Sequence, residues 1–424
     1  MQIRLKVLIL AAVSVLALSV AACSSAGGGS SANGQSPAAN AGTSNANCPG
    51  TPIKIMAMGV FDPNGATYEP SHLVGPQAAA KAINATCQLG RPISIVACND
   101  HATTQGSLTC GQTAVSEGVL AITGHPQSDA YIPIVSPHNI PAVMDLANGS
   151  QELSYKYAYP LASGPSLIVA TAAIAADVGA KKVQLLTFGG SQVAFFDSII
   201  SAAASSLGLQ KLPNIVAPLT ANDMTAYAAQ AISSGTDSVI LGTTSEQVVA
   251  FVKALRAQGA DNNKIKLIGG TSLTTSVIQQ LGPNAEGIYS ANEAADPGDP
   301  SNPGIQQMLN ELRANGTEIN GVNVNQFTVS SWTAVHLIAD AMKGATDFTP
   351  EELGKRLNAL PPDFSKGYPA VPPFDFSKNA IPDNPVLGKA RIFSNQMAVY
   401  QVQNGKLAPV VDGYVRIDQK ANLN

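Results

Sequence analysis

The sequence predicts an α/β fold made of two Rossmann-like lobes, each on a parallel sheet, and three observations predict it. Short apolar runs alternate with helix-length segments along most of the chain. The runs are continuously apolar instead of alternating with polar residues. The alternation then restarts after an interruption at Tyr155-Lys156-Tyr157-Ala158-Tyr159-Pro160. A strand covered on both faces meets water on neither, so it needs an unbroken apolar run, and the helices between such strands supply the cover. With 424 residues, 45% of them hydrophobic and only 12% charged, the chain has enough apolar surface for two cores of ordinary size. The formal charge of −4 comes without any cluster of Lys and Arg, which excludes an extended polyanion such as nucleic acid as a partner.

Taken in order, Ile53 to Val60 reads as a first buried strand and Phe61 to Glu69 as the loop at its carboxyl end. Ala78 to Asn84 follows as a helix, Pro92 to Ala97 as a second strand, Asn99 to Thr104 as a polar turn and Gly111 to Glu117 as a second helix. The stretch from Val119 to Met144 reads as two short apolar strands, 119–123 and 140–143, with a turn and a helix between them. Gly124 ends the first of these strands, and Ser128 and Asp129 stand where the helix begins. A strand that stops at glycine and hands over to a helix offers first-turn N–H groups and the Ser128 hydroxyl to an anionic group beyond the sheet edge.

In the second half, Ser166 to Val178 reads as a helix, Lys182 to Phe188 as a strand, Gln192 to Leu207 as a helix and Asn214 to Leu219 as a strand. Segments 223–233, 238–241, 246–258 and 264–268 continue the alternation, and Thr244 followed by Gln247 fits a capping box. Helices over 329–343 and 350–360 precede a Pro-rich, irregular but packed stretch, 361–385. Met397 to Val402 and Leu407 to Val411 flank Asn404-Gly405, a hairpin signal.

The N-terminus reads as an export signal. Arg4 and Lys6 precede an apolar run, Val7 to Val20, too short for a comfortable membrane span. Val20-Ala21-Ala22-Cys23 resembles the lipobox of bacterial lipoproteins, which implies cleavage after residue 22 and a lipid on the Cys23 sulfur. Residues 23–50, rich in Ser, Gly, Ala and Asn, carry too little apolar surface to offset ordering entropy and read as a tether. Cys48, Cys87, Cys98 and Cys110 remain, an even number in an exported chain, so disulfides are the default. Cys98 ends a strand and Cys110 lies in the next helix, so a Cys98–Cys110 loop fits their places and leaves Cys48 for Cys87. Four cysteines allow three pairings, and spacing does not choose among them. No CxxC pair or HxxxH accompanies them, so no metal is expected.

From Pro52 to Val411 the chain resembles the type 1 periplasmic binding proteins, in particular the solute-binding proteins of branched-chain amino acid ABC importers. The resemblance rests on the order and spacing of AAAKAINA (78–85), PISIVACND (92–100), GHPQSDAYIPI (124–134), IPAV (140–143), DMTAYAAQAI (223–232), VKALRAQG (252–259), WTAVHLIADAM (332–342) and FDFSKN (374–379). It implies two lobes, 51–162 with 294–375 and 163–293 with 376–424, joined by a three-strand hinge and closing over a small solute. The crossings are expected near 159–163 and 291–297 and in the Pro-rich C-terminal stretch. It implies as partners a small-molecule ligand, the permease and ATPase subunits of an importer, and the membrane through the lipid anchor. The place is the outer face of the cytoplasmic membrane or the periplasm.

Family members hold the ligand carboxylate with a Ser after strand three and a Thr after strand four, plus backbone amides. Ser128 matches the first, Asn148 stands at the second, and Gly124 and Gln127 belong to the same loop. In the second lobe the family's two tyrosines and its ammonium-binding acid match Ser191, Thr243 and Thr271, all small and hydroxylated here. A buried ammonium without a carboxylate is costly, so a substitute acid is required for an amino acid ligand; Asp62 stands first and Glu293 second. His125 and His138 read as surface loop residues, His336 as a core or face residue and Trp332 as core. No GxSxG, HExxH or P-loop pattern occurs, so no enzyme and no cofactor is expected. The alternative to import is a sensory lipoprotein on the same fold, and a secreted hydrolase is the remote one.

Overall fold

In the computed structural model the described residues are 48–63, 68–144, 146–147, 149–189, 192–299, 301–382 and 387–417. The export signal, Cys23, most of the tether, Asn148 and Ser191 lie outside them. The first sheet opens with β1 (Ile53–Gly59), followed by α1 (Ser71–Thr86), β2 (Ile93–Asn99), α2 (Thr104–Glu117) and β3 (Ala121–Gly124). All three strands are parallel in the order β2-β1-β3, with Ile55 opposite Ile95 on one side and Ala121 on the other. Two parallel bridges, Ile122 to Ala142 and Ala142 to Ala158, carry the sheet further. The strand expected over 140–143 is thus a single bridging residue. The Ile122 N–H donates to Pro141 O and the Val143 N–H to Ile122 O, both at 2.9 Å, and Pro141 has no N–H with which to extend the ladder toward Leu120.

The helix expected after Ser128 is broken. A 3₁₀ turn at Asp129–Tyr131, one turn of α3 (Ile132–Val135) and a second 3₁₀ turn at Ser136–His138 replace it. Pro133 and Pro137 explain the breaks: Pro137 cannot donate to the carbonyl four residues back, and its ring crowds that carbonyl. The opposite error occurs in α1, which begins at Ser71 and runs through Gly75-Pro76 instead of starting at Ala78.

The chain continues through β4 (Leu146–Ala147), α4 (Ser150–Ser154), β5 (Ala162–Ser163) and α5 (Gly164–Asp177), with β4 and β5 forming a small parallel pair. Then come β6 (Lys182–Thr187), α6 (Gln192–Ser206), β7 (Gln210–Lys211), β8 (Ile215–Val216), α7 (Thr225–Ser233), β9 (Ser238–Gly242), α8 (Ser245–Ala257) and β10 (Lys266–Gly269). The strand expected over 214–219 is only the two residues of β8, enclosed by Pro213 and Pro218. Next are α9 (Thr275–Leu281), β11 (Tyr289–Asn292) and α10 (Pro303–Asn315), none of which has a counterpart in the sequence reading. α11 (Gln326–Met342), α12 (Pro350–Asn358), β12 (Gln396–Gln403), β13 (Lys406–Pro409) and β14 (Val415–Arg416) complete the chain. The second sheet has the order β13-β12-β11-β10-β9-β6-β7, with β8 on β6 and β14 on β12; it is parallel from β7 to β11 and antiparallel at β12. The expected C-terminal hairpin is present, and its turn holds Asn404 and Gly405 at φ of 53° and 72°, as a two-residue turn requires.

Strand periodicity sorts the cores. Ile53 and Ile55 pack with Ala79, Met308, Val335 and Ile338 of α1, α10 and α11, while Met56 and Met58 face the opposite core with Ile122 and Tyr131. In the second sheet Ile240 and Ile268 face Val169 and Ile174 of α5, and Leu241 and Leu267 face Phe251 of α8. Both sheets are therefore covered on both faces, as the continuous apolar runs require. Trp332 is 4% exposed within the first-sheet core, its Nε1 donating to Glu311 Oε2 at 2.6 Å.

The cysteines pair as Cys48–Cys87, which ties the start of the described chain to the end of α1, and Cys98–Cys110, which ties β2 to α2. The Thr244 hydroxyl caps α8 by accepting from the Gln247 N–H, but the return half of the capping box is missing. Gln247 instead accepts from the Thr243 hydroxyl and donates to Pro218 O at 2.7 Å. Side-chain demand from the neighbouring loop outcompetes the local motif.

Candidate functional site

A cavity of ≈ 460 Å³ opens at the carboxyl ends of strands from both sheets, where ligand sites of open α/β sheets are found. The second sheet supplies Thr187 and Phe188 at the end of β6, Gly242 and Thr243 at the end of β9, and Gly270 and Thr271 just after β10. These loops are braced against each other: Ser272 Oγ donates to Leu241 O and Ser245 Oγ to Ser272 O, both at 3.3 Å. Gly270 lets the backbone close on α5, since a Cβ there would sit 3.0 Å from Leu167 Cδ2. Because the Thr243 proton is committed to Gln247, its hydroxyl faces other groups as an acceptor.

The first-sheet side supplies Glu69 and His72 around the start of α1 and His125 and Gln127 after β3, while the β4–β5 pair adds Leu146 and α11 adds Phe327. His125 is 7% exposed, so the reading of it as a surface residue is corrected. Its backbone N–H donates to Met58 O at 3.1 Å and its ring Nδ1 lies 2.9 Å from Leu146 O. A carbonyl only accepts, so Nδ1 carries a proton and donates to Leu146 O. The ring stacks on Phe327 at 5.8 Å between centroids, and Phe327 in turn contacts the buried His72 at 4.8 Å. The acid on this side is Glu69, whose Oε1 accepts from the Ser71 hydroxyl and, at 3.0 Å, from Asn325 Nδ2. Asn325 is also the N-cap of α11, accepting from the Phe327 and Thr328 N–H groups, so one residue fixes both Glu69 and Phe327. A second cavity of ≈ 230 Å³ adjoins through Thr271 and is lined by Asp296, whose carboxyl burial pushes above its ordinary range.

The family described as periplasmic binding protein matches residues 52–406. This chain belongs to that family. Binding a solute is the family's general role and that of this member, and membership implies an exported protein. Among solved structures the chain resembles a leucine-binding protein from Thermotoga maritima at 18% identity, covering 86% of this chain and 99% of that one with a TM-score of 0.68. It also resembles an ABC transporter solute-binding protein from R. palustris in complex with 4-hydroxybenzoate, at 18% identity over 87% and 98% of the two chains and a TM-score of 0.69. A branched-chain amino acid ABC transporter protein from Thermus thermophilus with bound valine matches at 17% identity, over 86% and 96%, with a TM-score of 0.70. At these identities the likeness is one of fold. No curated protein matches the chain in sequence. No helix among the described residues is long and apolar enough to cross a membrane.

Of the ligand-binding residues expected of a family member, Gln127, Thr243 and Thr271 line the large cavity. Asp62, Gly124 and Ser128 are not among its lining residues, and Asn148 and Ser191 lie outside the described residues. The turn after β3 also uses hydrogen-bonding capacity within the protein. Ser128 Oγ accepts from the Ala130 N–H at 3.3 Å, and the Gln127 N–H donates to Asp100 Oδ2 at 2.8 Å. Asp100 is fully buried at the end of β2, where the parallel sheet brings it beside the loop of β3. Glu293, the second candidate acid, is fully buried and is likewise not on the wall. The residues missed were Glu69, His72 and Phe327; for Glu69 a signal existed in its place at the end of the loop after the first strand, and for the other two there was none.

Proposed function

We propose that this chain is the extracellular solute-binding lipoprotein of an ABC importer, anchored through lipid on Cys23, which captures a small polar solute and delivers it to a permease. The solute class is a branched-chain amino acid, an amide or a related compound. The observation that carries the reading is the ≈ 460 Å³ cavity walled by the carboxyl ends of strands from two separate sheets. Its volume suits a small solute, and its lining mixes apolar side chains with few polar groups, as ligand sites do. The lobe division 51–162 with 294–375 and 163–293 with 376–424 belongs to this proposal. A ligand that touches both lobes favours the closed arrangement by its differential contacts. Thr243 and Thr271 are proposed to meet the solute from the second lobe and Gln127 from the first; Asn148 and Ser191 remain proposed contacts.

A thermal-shift screen of the intact chain in detergent, against amino acids, amides, small carboxylates, polyols and nucleobases, tests this reading. A ligand at a hundred times its dissociation constant adds about 2.7 kcal/mol of stability. Once a solute is found, Thr243→Val and Thr271→Val together are expected to weaken it by about tenfold or more, one hydrogen bond being worth about 1 kcal/mol. Affinity that is unchanged in the double variant would place the solute elsewhere.

A further inference from the structure

The charges on the cavity wall are one-sided. Among the described residues that line it, the ionisable groups other than histidine and tyrosine are Glu69 and Glu246, with no Lys or Arg. Glu246 is exposed in the first turn of α8, whereas Glu69 is half-buried and held from two elements. Its Oε1 is saturated by Ser71 and Asn325, and its Oε2 accepts no hydrogen bond from any described residue. A carboxylate offers about four acceptor positions, so a good part of this one's capacity is unspent. The residue is already oriented, and orienting it costs a ligand nothing further.

The surroundings suit a cation. Phe327, placed by the same Asn325 that holds Glu69, and Tyr68, its chain neighbour, present aromatic rings at the same wall, and aromatic faces attract ammonium groups. The second-sheet side has hydroxyls at Thr187, Thr243 and Thr271 and no carboxylate except the exposed Glu246. A simple carboxylate ligand would face Glu69 with no Lys or Arg to compensate, whereas an amine gains a charge-assisted hydrogen bond.

We infer that Glu69 selects the ligand by charge, receiving the N–H groups of a small cationic amine and holding that end of the molecule on the first-sheet side of the cavity. This rests on the reading of the cavity as the solute site and names the ligand class and the residue that sets it. Any carboxylate or carbonyl on the ligand then lies toward the second-sheet hydroxyls.

The test uses matched compounds with the intact chain: L-leucine, 4-methylpentanoate and 3-methylbutylamine, and L-phenylalanine, 3-phenylpropanoate and 2-phenylethylamine, each titrated calorimetrically and by thermal shift. In at least one series the amine-bearing members are expected to bind tenfold or more tightly than the deaminated acid. Glu69→Gln, which keeps the Oε1 acceptor for Ser71 and Asn325, is expected to shrink that preference below threefold while its ligand-free melting temperature stays near that of the parent. Deaminated acids that bind as well as their amines would overturn the inference without needing the variant, and so would a Glu69→Gln protein that keeps the preference. A solute without an amine that binds, and is weakened by the Thr243 and Thr271 changes, would overturn the inference and leave the cavity reading standing. A cavity to which no compound of either panel binds would overturn both.

Discussion

Gly124 sets the path of the loop beneath the cavity. Its φ of +96° lies where L side chains are strained, and a Cβ there would fall 2.2 Å from the Met58 carbonyl oxygen. The next residue, His125, uses that same carbonyl as the acceptor for its N–H. Gly124→Ala is therefore expected to destabilise the protein by more than about 1 kcal/mol, read as a lower denaturation midpoint at unchanged denaturant sensitivity. A midpoint equal to the parent's would mean the loop has another path open to it. The glycine was legible as the end of a strand; the burial of His125 was not. A histidine between Gly124 and Pro126 has the local look of an exposed turn, and what buries it, Leu146 and Phe327, comes from distant parts of the chain.

At the scale of elements, prolines and cysteines decided most of what the apolar pattern left open. Pro133 and Pro137 broke the helix after β3, yet Pro76 did not break α1. The difference is packing: Gly75 lies so close to α11 that a Cβ would sit 2.8 Å from Thr328 O, and that contact offsets the backbone hydrogen bond Pro76 cannot make. The disulfides reinforce the same region. By the loop-entropy relation, the Cys98–Cys110 bridge, with a separation of 12 residues, contributes about 3 kcal/mol. The Cys48–Cys87 bridge, with a separation of 39, contributes about 4 kcal/mol. Replacing both cysteines of a pair by serine is expected to lower stability by amounts in that order, with the longer loop costing more in a urea titration. Equal losses, or a larger loss at Cys98–Cys110, would show that native-state contacts and not loop closure set the contribution.

For the whole molecule, the proposed function requires that the two sheets approach when solute binds. Small-angle scattering of the intact chain in detergent-matched buffer is expected to show a smaller radius of gyration at saturating solute, with no change when a non-binding compound of the panel replaces it. A radius that stays constant while the melting temperature rises would mean that the cavity fills without closure. The proposed closure would turn on the segments that connect the two sheets. The chain leaves the first sheet after the bridge at Ala158, returns to the core packed on that sheet where the Ala295 N–H donates to Ala370 O, and joins the second sheet for the last time at β12. Arg391 spans the first crossing, its Nε donating to Ala158 O at 2.8 Å while its guanidinium lies over the Tyr159 ring.

The sequence by itself determined the doubly covered parallel sheets, because a strand buried on both faces is written as a continuous apolar run, as in Ile55 to Gly59 or Val239 to Gly242. It determined the C-terminal hairpin too, since Asn404-Gly405 is a local demand for positive φ. Tertiary structure alone decided which polar groups face the cavity. Ser128 has the expected residue type in the expected loop, yet Gln127 and not Ser128 lines the cavity, and the Ser128 oxygen accepts from the Ala130 N–H. Glu69 reached the wall because Asn325, far along the chain, turns it there. Strands are specified by the order of neighbouring residues, whereas a site is specified by which distant residues leave hydrogen-bonding capacity unspent, and that sum closes only when the chain is folded.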